Sequence, residues 1–187
     1  LMLWRNDQTI VVGKHQDTFA EINADYVRAN QIQVVRRLSG GGAVYHDLGN
    51  VNFTFIADAG DMESINFRLF CRPVVAALAK IGVTAEINGR NDMTIDGQKF
   101  SGNSQYIRQG RVMHHGTIMF DSDLSVVGQA LHVDQEKIRA KGIASVRSRV
   151  TTVRRHMTNP VGLEEFRHLL LQEILEQQPG DEYVFTE

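Results

Sequence analysis

Apolar residues recur along this chain with two spacings, one typical of strands and one typical of helices. Short runs rich in β-branched or alternating apolar residues predict strands at residues 9–13, 32–37 and 51–55. Apolar residues three or four positions apart predict helices over 18–29, 64–81, 123–131 and 134–141, and a closing amphipathic helix that includes Leu163, Phe166, Leu169, Leu170 and Ile174. Because Pro73 falls inside the run 64–81, we expect it to kink that helix or to restart it.

Two turn signals divide the middle of the chain into hairpins. Asp96-Gly97 follows a short apolar run, and both residue types tolerate a positive φ. A second turn is predicted at Gln109-Gly110, between 103–108 and 111–120. Two successive hairpins predict an antiparallel meander, and hairpins outnumber candidate βαβ units. We therefore predict an α+β fold with a mixed, largely antiparallel sheet and packed helices.

Composition and charge narrow the function classes. The chain has 187 residues with 20 Lys+Arg, 22 Asp+Glu and one Cys, which suits one domain with a sizeable core. The net charge of −2 argues against a general nucleic-acid binder, and one cysteine excludes a disulfide framework. No apolar run approaches the roughly 18–20 residues of a membrane span. We predict a cytoplasmic protein that binds neither nucleic acid nor membrane, and we expect residues to be missing at both ends.

The segment 36–50, RRLSGGGAVYHDLGN, is the most unusual part of the sequence. Three consecutive glycines carry a high entropic cost, which a chain tolerates where its backbone turns sharply or approaches a ligand. Their N–H groups can bind an anion, and two neighbouring arginines supply donors for phosphate or carboxylate. The alternative interpretation is a flexible turn beside a solvated charge pair. Tyr45 stands where a Rossmann fingerprint needs Gly or Ala, and the P-loop ending Gly-Lys-Ser/Thr is absent. These residues therefore predict a phosphate or acyl-adenylate cradle of another type.

Further polar residues are candidates for chemistry. Asp92 is a candidate magnesium ligand, since hard cations take oxygen ligands, but it can equally be a turn residue. Lys99 carries a compact charge suited to a phosphate, although most lysines are simply solvated. Ser39, His46 and Asp47 include the residue types of a hydrolase triad, but the adjacency of the last two makes the hydrogen-bonded chain awkward.

His114 and His115 are neighbours on a predicted strand, where adjacent side chains point to opposite faces. They cannot both bind one metal, so one is expected to face the site while the other packs or meets solvent. Nothing supplies the usual spacing of zinc ligands. Cys71 is predicted to be a small buried hydrophobe.

Together these segments resemble the signature of the lipoate–protein ligase A family. The resemblance spans about residues 3–151 and runs in order through Leu3–Asn6, Val12-Gly13, the segment 36–50, Asn91-Asp92, Lys99–Gly102, His114–Thr117, Lys141-Gly142 and 145–151. It implies the fold of biotin-ligase catalytic domains and a two-step reaction. Lipoate and MgATP give lipoyl-AMP, and a lysine of a lipoyl-acceptor domain then takes the lipoyl group. The implied acceptors are 2-oxoacid dehydrogenase complexes or the glycine-cleavage H protein.

The resemblance also assigns roles to single residues. It implies nucleotide contacts for Arg37, Gly42, Ala43, Val44, Tyr45 and Lys99, and lipoate contacts for Gly41, Gly42 and Lys99. Lys99 is the implied catalytic residue, while Ser39, His46, Asn91, Asp92 and His115 stay further candidates. An apolar slot for the acyl chain is expected beside Val44, Phe53 and Phe55.

The same resemblance predicts a catalytic domain over 1–162, followed by a helix and the start of a linker over 163–187. The family's small accessory domain is not expected in this sequence, and a separate polypeptide is one way to supply it. Two alternatives stay open: a lipoyltransferase that accepts preformed lipoyl-AMP, and a non-catalytic module that binds lipoate or an adenylate. A thioester-using transferase needs a catalytic cysteine beside the acyl site, and Cys71 is poorly placed for that role.

Overall fold

The computed structural model describes residues 1–59, 66–89, 91–132, 149–177 and 179–181. The strands are β1 (Met2–Trp4), β2 (Thr9–Val12), β3 (Gln33–Arg36), β4 (Val44–His46), β5 (Asn50–Asp58), β6 (Glu86–Asn88), β7 (Asp92–Ile95), β8 (Gln98–Arg108) and β9 (Arg111–Met119). The helices are α1 (Thr18–Glu21), α2 (Ala24–Ala29), α3 (Phe67–Lys80), α4 (Leu124–Ala130) and α5 (Leu163–Gln177), with a 3-10 helix at Val153–His156.

The described strands form two sheets. The large sheet has the order β1-β5-β9-β8-β7-β6 and is antiparallel throughout. The small sheet has the order β3-β2-β4, in which β2 pairs parallel with β3 and antiparallel with β4. The predicted α+β class, the mixed but largely antiparallel pairing and the meander are therefore confirmed.

The two faces of the large sheet differ in chemistry. Its helix face packs against α3 and α5 and carries the main core, which includes Val51, Phe53, Phe100, Ile118, Val74, Leu78, Phe166 and Leu170. Its opposite face, called the site face here, carries buried polar side chains of β5, namely Asn50, Asn52 and Thr54. Strand alternation separates the two sets, since neighbours along a strand point to opposite faces. A second apolar core lies under the small sheet and includes Ile10, Val12, Val27 and Tyr45.

Local capping corrects the predicted helix 18–29. Ile22 has an extended backbone with φ −122° and ψ 148°, which ends α1 after Glu21. The side chain of Asn23 then accepts a hydrogen bond from the Tyr26 N–H and starts α2. The apolar spacing is continuous across this break, so periodicity alone predicted one helix.

Of the two effects predicted for Pro73, the restart is wrong, because α3 runs through this residue without interruption, and the kink stays a prediction. Pro73, Val74 and Ala77 are buried in the helix, and their packing against the core outweighs the lost backbone hydrogen bond. The turns at Asp96-Gly97 and Gln109-Gly110 are confirmed, with positive φ at all four residues. The predicted helix 134–141 lies outside the described residues.

Cys71 is part of the helix-face core. It lies in α3 with 1% of its surface exposed, and burial raises the pKa of its thiol to about 12. Its predicted role as a small core residue is confirmed. None of the helices in the described ranges is long and apolar enough to cross a membrane.

Candidate functional site

The glycine loop, residues 37–43, is held by the arginine that begins it. The Arg37 guanidinium donates from Nη2 to the carbonyls of Gly40 at 2.8 Å and Gly42 at 2.7 Å, and from Nη1 to the Val11 carbonyl at 3.0 Å. Burial lowers the pKa of Arg37. A planar guanidinium with several donors can hold several carbonyls at once. Arg37 therefore shapes the loop and joins it to the small sheet.

The three glycines have different roles in this loop. Gly41 has φ +96°, a conformation that side chains rarely adopt, and an added Cβ would lie 3.0 Å from Arg37 Nη2. A Cβ added at Gly13 would overlap the Gly41 carbonyl oxygen, so the close approach of the two backbones needs a glycine at position 13. Added Cβ atoms at Gly40 or Gly42 meet nothing within 4 Å. The loop is thus conformationally constrained at Gly41 and open to a ligand at Gly40 and Gly42.

These differences give a paired prediction. Gly42→Val keeps the thermal stability but weakens lipoyl-AMP binding, since the new side chain enters the open space beside the loop. Gly41→Ala lowers the free energy of unfolding by about 1–2 kcal/mol, because its φ disfavours any side chain. Thermal melting and calorimetric titration with lipoyl-AMP measure both effects. Unchanged affinity in a stable Gly42→Val protein would remove the loop from the binding site.

The loop is anchored to the site face of the large sheet at two points. Ser104 on β8 donates from Oγ to the Gly40 carbonyl at 2.9 Å. Ser39 Oγ and His115 Nε2 lie 2.6 Å apart, with Ser39 only 1% exposed. Burial, and then the charge of Arg37, lower the pKa of His115 to about 4, so the ring is neutral at pH 7. Ser104 and His115 are paired across β8 and β9, which places both anchors on one face.

A polar layer continues on the face of the small sheet opposite its apolar core. His46 on β4 is 3% exposed, and its Nδ1 lies 3.3 Å from Asn6 Nδ2 and 3.5 Å from Asn52 Nδ2. Its Nε2 is buried with no hydrogen-bond partner among the described residues. Burial lowers the pKa of His46 to about 4, with smaller effects of Arg37 and His115. Because buried polar atoms usually have partners, this nitrogen can accept a hydrogen bond from, or donate one to, a polar group of a ligand or a water.

A β-bulge brings Lys99 to this same face. The register of β7 against β8 shifts after Met93, so Asp92 pairs with Gly102 but Thr94 pairs with Lys99. Regular alternation from Gly102 would put Phe100 on the site face, and the bulge instead sends Phe100 into the main core. Lys99 then lies over Gly102, where an added Cβ would stand 3.1 Å from the Lys99 amine.

The Lys99 amine forms an ion pair with Asp92, with Nζ 2.7 Å from Oδ1. Both side chains are partly exposed, at 40% and 38%. Gly102 and the loop anchor Ser104 are two positions apart on β8, or about 6.5 Å. The structure therefore brings the glycine loop, Lys99 and Asp92 to neighbouring places on one face.

The two histidines diverge as predicted. His114 lies on the helix face with no exposed surface, stacked on Phe70 at 4.7 Å between ring centroids. Its Nδ1 is 2.9 Å from Gln105 Nε2, and burial lowers its pKa to about 3. His115 is the member that faces the site. Phe53 and Phe55 also lie on the helix face, against His114, so the expected acyl slot beside these phenylalanines is wrong.

Other predicted binding residues have different surroundings. The Tyr45 ring is buried in the small-sheet core with Ala43 against the same core, and burial followed by Asp47 raises its pKa to about 12. Any nucleotide contact of these two residues would therefore use their backbone. Val44 pairs with Val11 in the small sheet. Asn91 donates from Nδ2 to the Asn103 carbonyl at 2.9 Å and so fixes the strand beside it.

A hydrolase triad is not assembled around Ser39. Its partner is His115 instead of His46. Asp47 accepts hydrogen bonds from the Gly49 and Asp123 N–H groups, at 3.0 Å and 2.8 Å, and orients neither histidine. Within the described ranges, no three His, Cys, Asp or Glu side chains come together as a metal cluster.

Residues outside the glycine loop also hold it in place. Arg36 donates to the carbonyls of Gly13 at 2.7 Å and Gln16 at 2.8 Å, and to Thr18 Oγ1 at 2.7 Å. It thereby holds the 13–18 segment beside the glycine loop. Sequence reasoning missed Ser104, and it assigned no contact with the loop to Gly13. The signals for both are positions, since Gly13 ends a strand and Ser104 lies on the same face of β8 as Gly102. The predicted residues Lys141-Gly142 and 145–148 lie outside the described residues.

Comparisons with known proteins give the family and the fold of this chain. Residues 1–175 match the family described as the lipoyl protein ligase A/B catalytic domain. The lipoate-protein ligase LplJ of Bacillus subtilis (strain 168) is 51% identical over 175 residues, which are 93% of this chain and 53% of that protein. The chain spans about half the length of the curated relatives it matches.

Solved structures show the same fold. A bi-partite lipoate protein ligase of an archaeal lipoylation system, from Thermoplasma acidophilum, superposes with a TM-score of 0.80 at 33% identity, covering 93% of this chain and 69% of that one. A lipoate-protein ligase A bound with ATP gives a TM-score of 0.77 at 26% identity and covers 93% of this chain and 70% of that one. Because the family match runs through both sheets and into α5, this chain belongs to the lipoyl protein ligase A/B catalytic-domain family, as its motifs indicated.

Proposed function

We propose that this chain acts as a lipoate–protein ligase, which activates lipoate with MgATP to lipoyl-AMP and transfers the lipoyl group to a lysine. The acceptors would be lipoyl domains of 2-oxoacid dehydrogenase complexes or the glycine-cleavage H protein, and the reaction would take place in the cytoplasm. The observation that carries the proposal is the constrained glycine loop beside Lys99 on one face of the large sheet. The names of its relatives and the ATP-bound structure support the same substrates.

The loop suits an acyl-adenylate for physical reasons. Its backbone is open beside Gly40 and Gly42, so a phosphate or a mixed-anhydride carbonyl can approach the N–H groups closely. Arg37 already uses its donors to hold loop carbonyls, so its proposed nucleotide role is first to fix the loop. The neutral His115 and the His46 Nε2, which has no partner among the described residues, offer polar contacts without adding charge to the layer.

Lys99 supplies the positive charge in the transfer step. The acceptor amine attacks the acyl carbonyl, the carbon–nitrogen bond forms, and the bond to the phosphate oxygen breaks as AMP leaves. Negative charge grows on the carbonyl and phosphate oxygens during this step. A preorganised ammonium is one of the donors that stabilise such charge. No covalent enzyme intermediate is needed, and the buried Cys71 does not fit the thioester-using alternative.

Asp92 fits a magnesium ion as a single carboxylate that would share the ion with substrate phosphates. Mg²⁺ is commonly held by one or two carboxylates together with substrate phosphates, and Asp92 is a partly exposed carboxylate on the site face. When bound, the ion would neutralise phosphate charge during adenylation. Asp92 would then hold the ion while Lys99 contacts the adenylate. A loss of magnesium-induced chemical-shift changes in Asp92→Asn tests this assignment.

The direct test incubates the chain with lipoate, MgATP and a purified lipoyl domain, and mass spectrometry looks for one added lipoyl group. A parallel reaction supplies preformed lipoyl-AMP. The second candidate function is a lipoyltransferase, and a product in the parallel reaction alone would indicate it. A product in neither reaction, with lipoyl-AMP still bound, would indicate the non-catalytic module.

We expect the 187-residue polypeptide to transfer from lipoyl-AMP but to form lipoyl-AMP slowly from lipoate and MgATP. Adenylation must orient two substrates and a metal, so it depends more on closure of the site than transfer does. A bi-partite lipoate protein ligase is among the similar structures, which supports testing a second polypeptide added to this one. Adding a polypeptide with the accessory fold should restore pyrophosphate release. Full turnover by the isolated chain would contradict this dependence and leave the ligase proposal intact.

A further inference from the structure

Asp96, His156 and Thr151 form a hydrogen-bonded chain beside the β7–β8 hairpin, outside the glycine loop. Asp96 Oδ2 lies 3.1 Å from His156 Nδ1, and His156 Nε2 lies 2.8 Å from Thr151 Oγ1. Since a carboxylate accepts, Nδ1 donates to Asp96, and each ring nitrogen has its own partner. Two partners on opposite edges of the ring fix its orientation. The chain therefore ties the hairpin turn to the segment 149–157.

The exposure of the side chains along these hydrogen bonds is the opposite of that in a nucleophilic triad. Thr151 is 2% exposed, while the Asp96 side chain is 81% exposed. A nucleophilic hydroxyl has to reach the substrate, and its carboxylate is usually the buried end. The arrangement is thus unsuited to covalent catalysis and suited to holding the backbone in place.

The backbone that it holds is that of Lys99. The Thr151 N–H donates to the Lys99 carbonyl at 2.9 Å, and Val150 forms a parallel bridge with Lys99. The same segment therefore grips the hairpin twice, at the Asp96 side chain in the turn and at the Lys99 backbone three positions later. The turn itself has positive φ at both residues, +50° at Asp96 and +75° at Gly97.

We propose that His156 is a positioning residue, which with Asp96 and Thr151 fixes the Lys99 backbone so that the ammonium meets the acyl-transfer centre. This inference rests on the role proposed above for Lys99. The side chain of Lys99 is long and partly exposed, so its amine is placed well only if the backbone beneath it is fixed. A displacement of about 1 Å at a reacting centre can lower a rate on the order of 10²-fold.

The test compares variants that remove the hydrogen-bonded chain of Asp96, His156 and Thr151 with a variant that keeps it. Asp96→Gly removes the carboxylate but tolerates the positive φ, while Asp96→Asn keeps an acceptor and also tolerates that φ. His156→Ala removes the middle of the chain. We expect His156→Ala and Asp96→Gly to lower kcat for transfer from lipoyl-AMP by about 10-fold or more, with KM for the lipoyl domain nearly unchanged. Asp96→Asn should keep kcat near that of the unmodified protein. The double variant that combines His156→Ala with Asp96→Gly should lose no more kcat than either single variant.

A second readout does not depend on catalysis. Brief labelling with an amine-reactive reagent, followed by peptide mass spectrometry, gives the reactivity of Lys99 relative to Lys80 in the same sample. The proposal predicts a changed ratio in His156→Ala and Asp96→Gly and an unchanged ratio in Asp96→Asn. If Lys99→Ala transfers at the normal rate, the proposed function of Lys99 fails, and the labelling ratio still decides whether the chain positions it. Normal kcat together with a normal ratio in Asp96→Gly, whose exposed turn should fold, would overturn the inference.

Discussion

Lys99→Ala should lower single-turnover transfer from lipoyl-AMP to a lipoyl domain by about 10²–10³-fold, or about 3–4 kcal/mol. The loss has this size because a preorganised donor to the growing negative charge is removed from a partly desolvated site. Binding of lipoyl-AMP should fall much less than the rate, since the charge is greatest in the transition state. Rapid-quench kinetics with preformed lipoyl-AMP measure the transfer step without adenylation.

Lys80→Ala is the matched control for this experiment. Lys80 joins α3 to α5 through Glu173, with the same 2.7 Å ion-pair distance that Lys99 has to Asp92 and a similar exposure of 42%. We expect its replacement to leave the transfer rate unchanged, while the loss of an ion pair to the buried Glu173 lowers the stability. Equal rates for both variants and the unmodified chain would exclude Lys99 from the mechanism.

The sequence was sufficient to predict the glycine loop, because a chain tolerates three consecutive glycines mainly where its backbone turns sharply or approaches a ligand. It also predicted the divergence of His114 and His115, since strand alternation leaves adjacent side chains no common face. In the same way, the turn at Asp96-Gly97 followed from residue types that tolerate positive φ. These successes all depend on local chemistry.

The remaining features depend on tertiary contacts. The bulge that turns Lys99 to the site face exists because Phe100 packs into the main core, and no local pattern marks it. Ser104 became an anchor only because the glycine loop passes over β8. The acyl slot was misplaced for the same reason. Alternation along β5 shows which residues share a face with Phe53, but it does not show which face packs against the helices until the strand pairing is known. Family resemblance supplied roles for residues, and it did not supply these contacts.

Stability should fall steeply as the pH decreases below about 6.5, because three histidines have folded pKa values far below that of an unfolded histidine. Burial is the main cause of the low pKa in each, which is about 4 for His46, about 3 for His114 and about 4 for His115. Below about pH 6.5 the unfolded chain binds protons that the folded chain does not, so acid favours unfolding. Above that pH all three are neutral in both states, and their stabilising contribution is complete.

The size of this effect follows from proton counting. Each histidine that is protonated only in the unfolded chain adds about 1.4 kcal/mol per pH unit to the slope of the free energy of unfolding against pH. Three such histidines give up to about 4 kcal/mol per pH unit near pH 5. The slope should flatten as the pH passes below the folded pKa values. Urea unfolding at closely spaced pH values measures this slope.

His46→Gln and His114→Gln should each lower the slope by about one third, whatever they do to the stability at pH 7. Carboxylates titrate mainly below about pH 5, so the interval from pH 6.5 to 5.5 isolates the histidines. A constant free energy of unfolding across that interval would contradict the neutral histidines, and with them the uncharged polar layer that His46 and His115 form around the glycine loop.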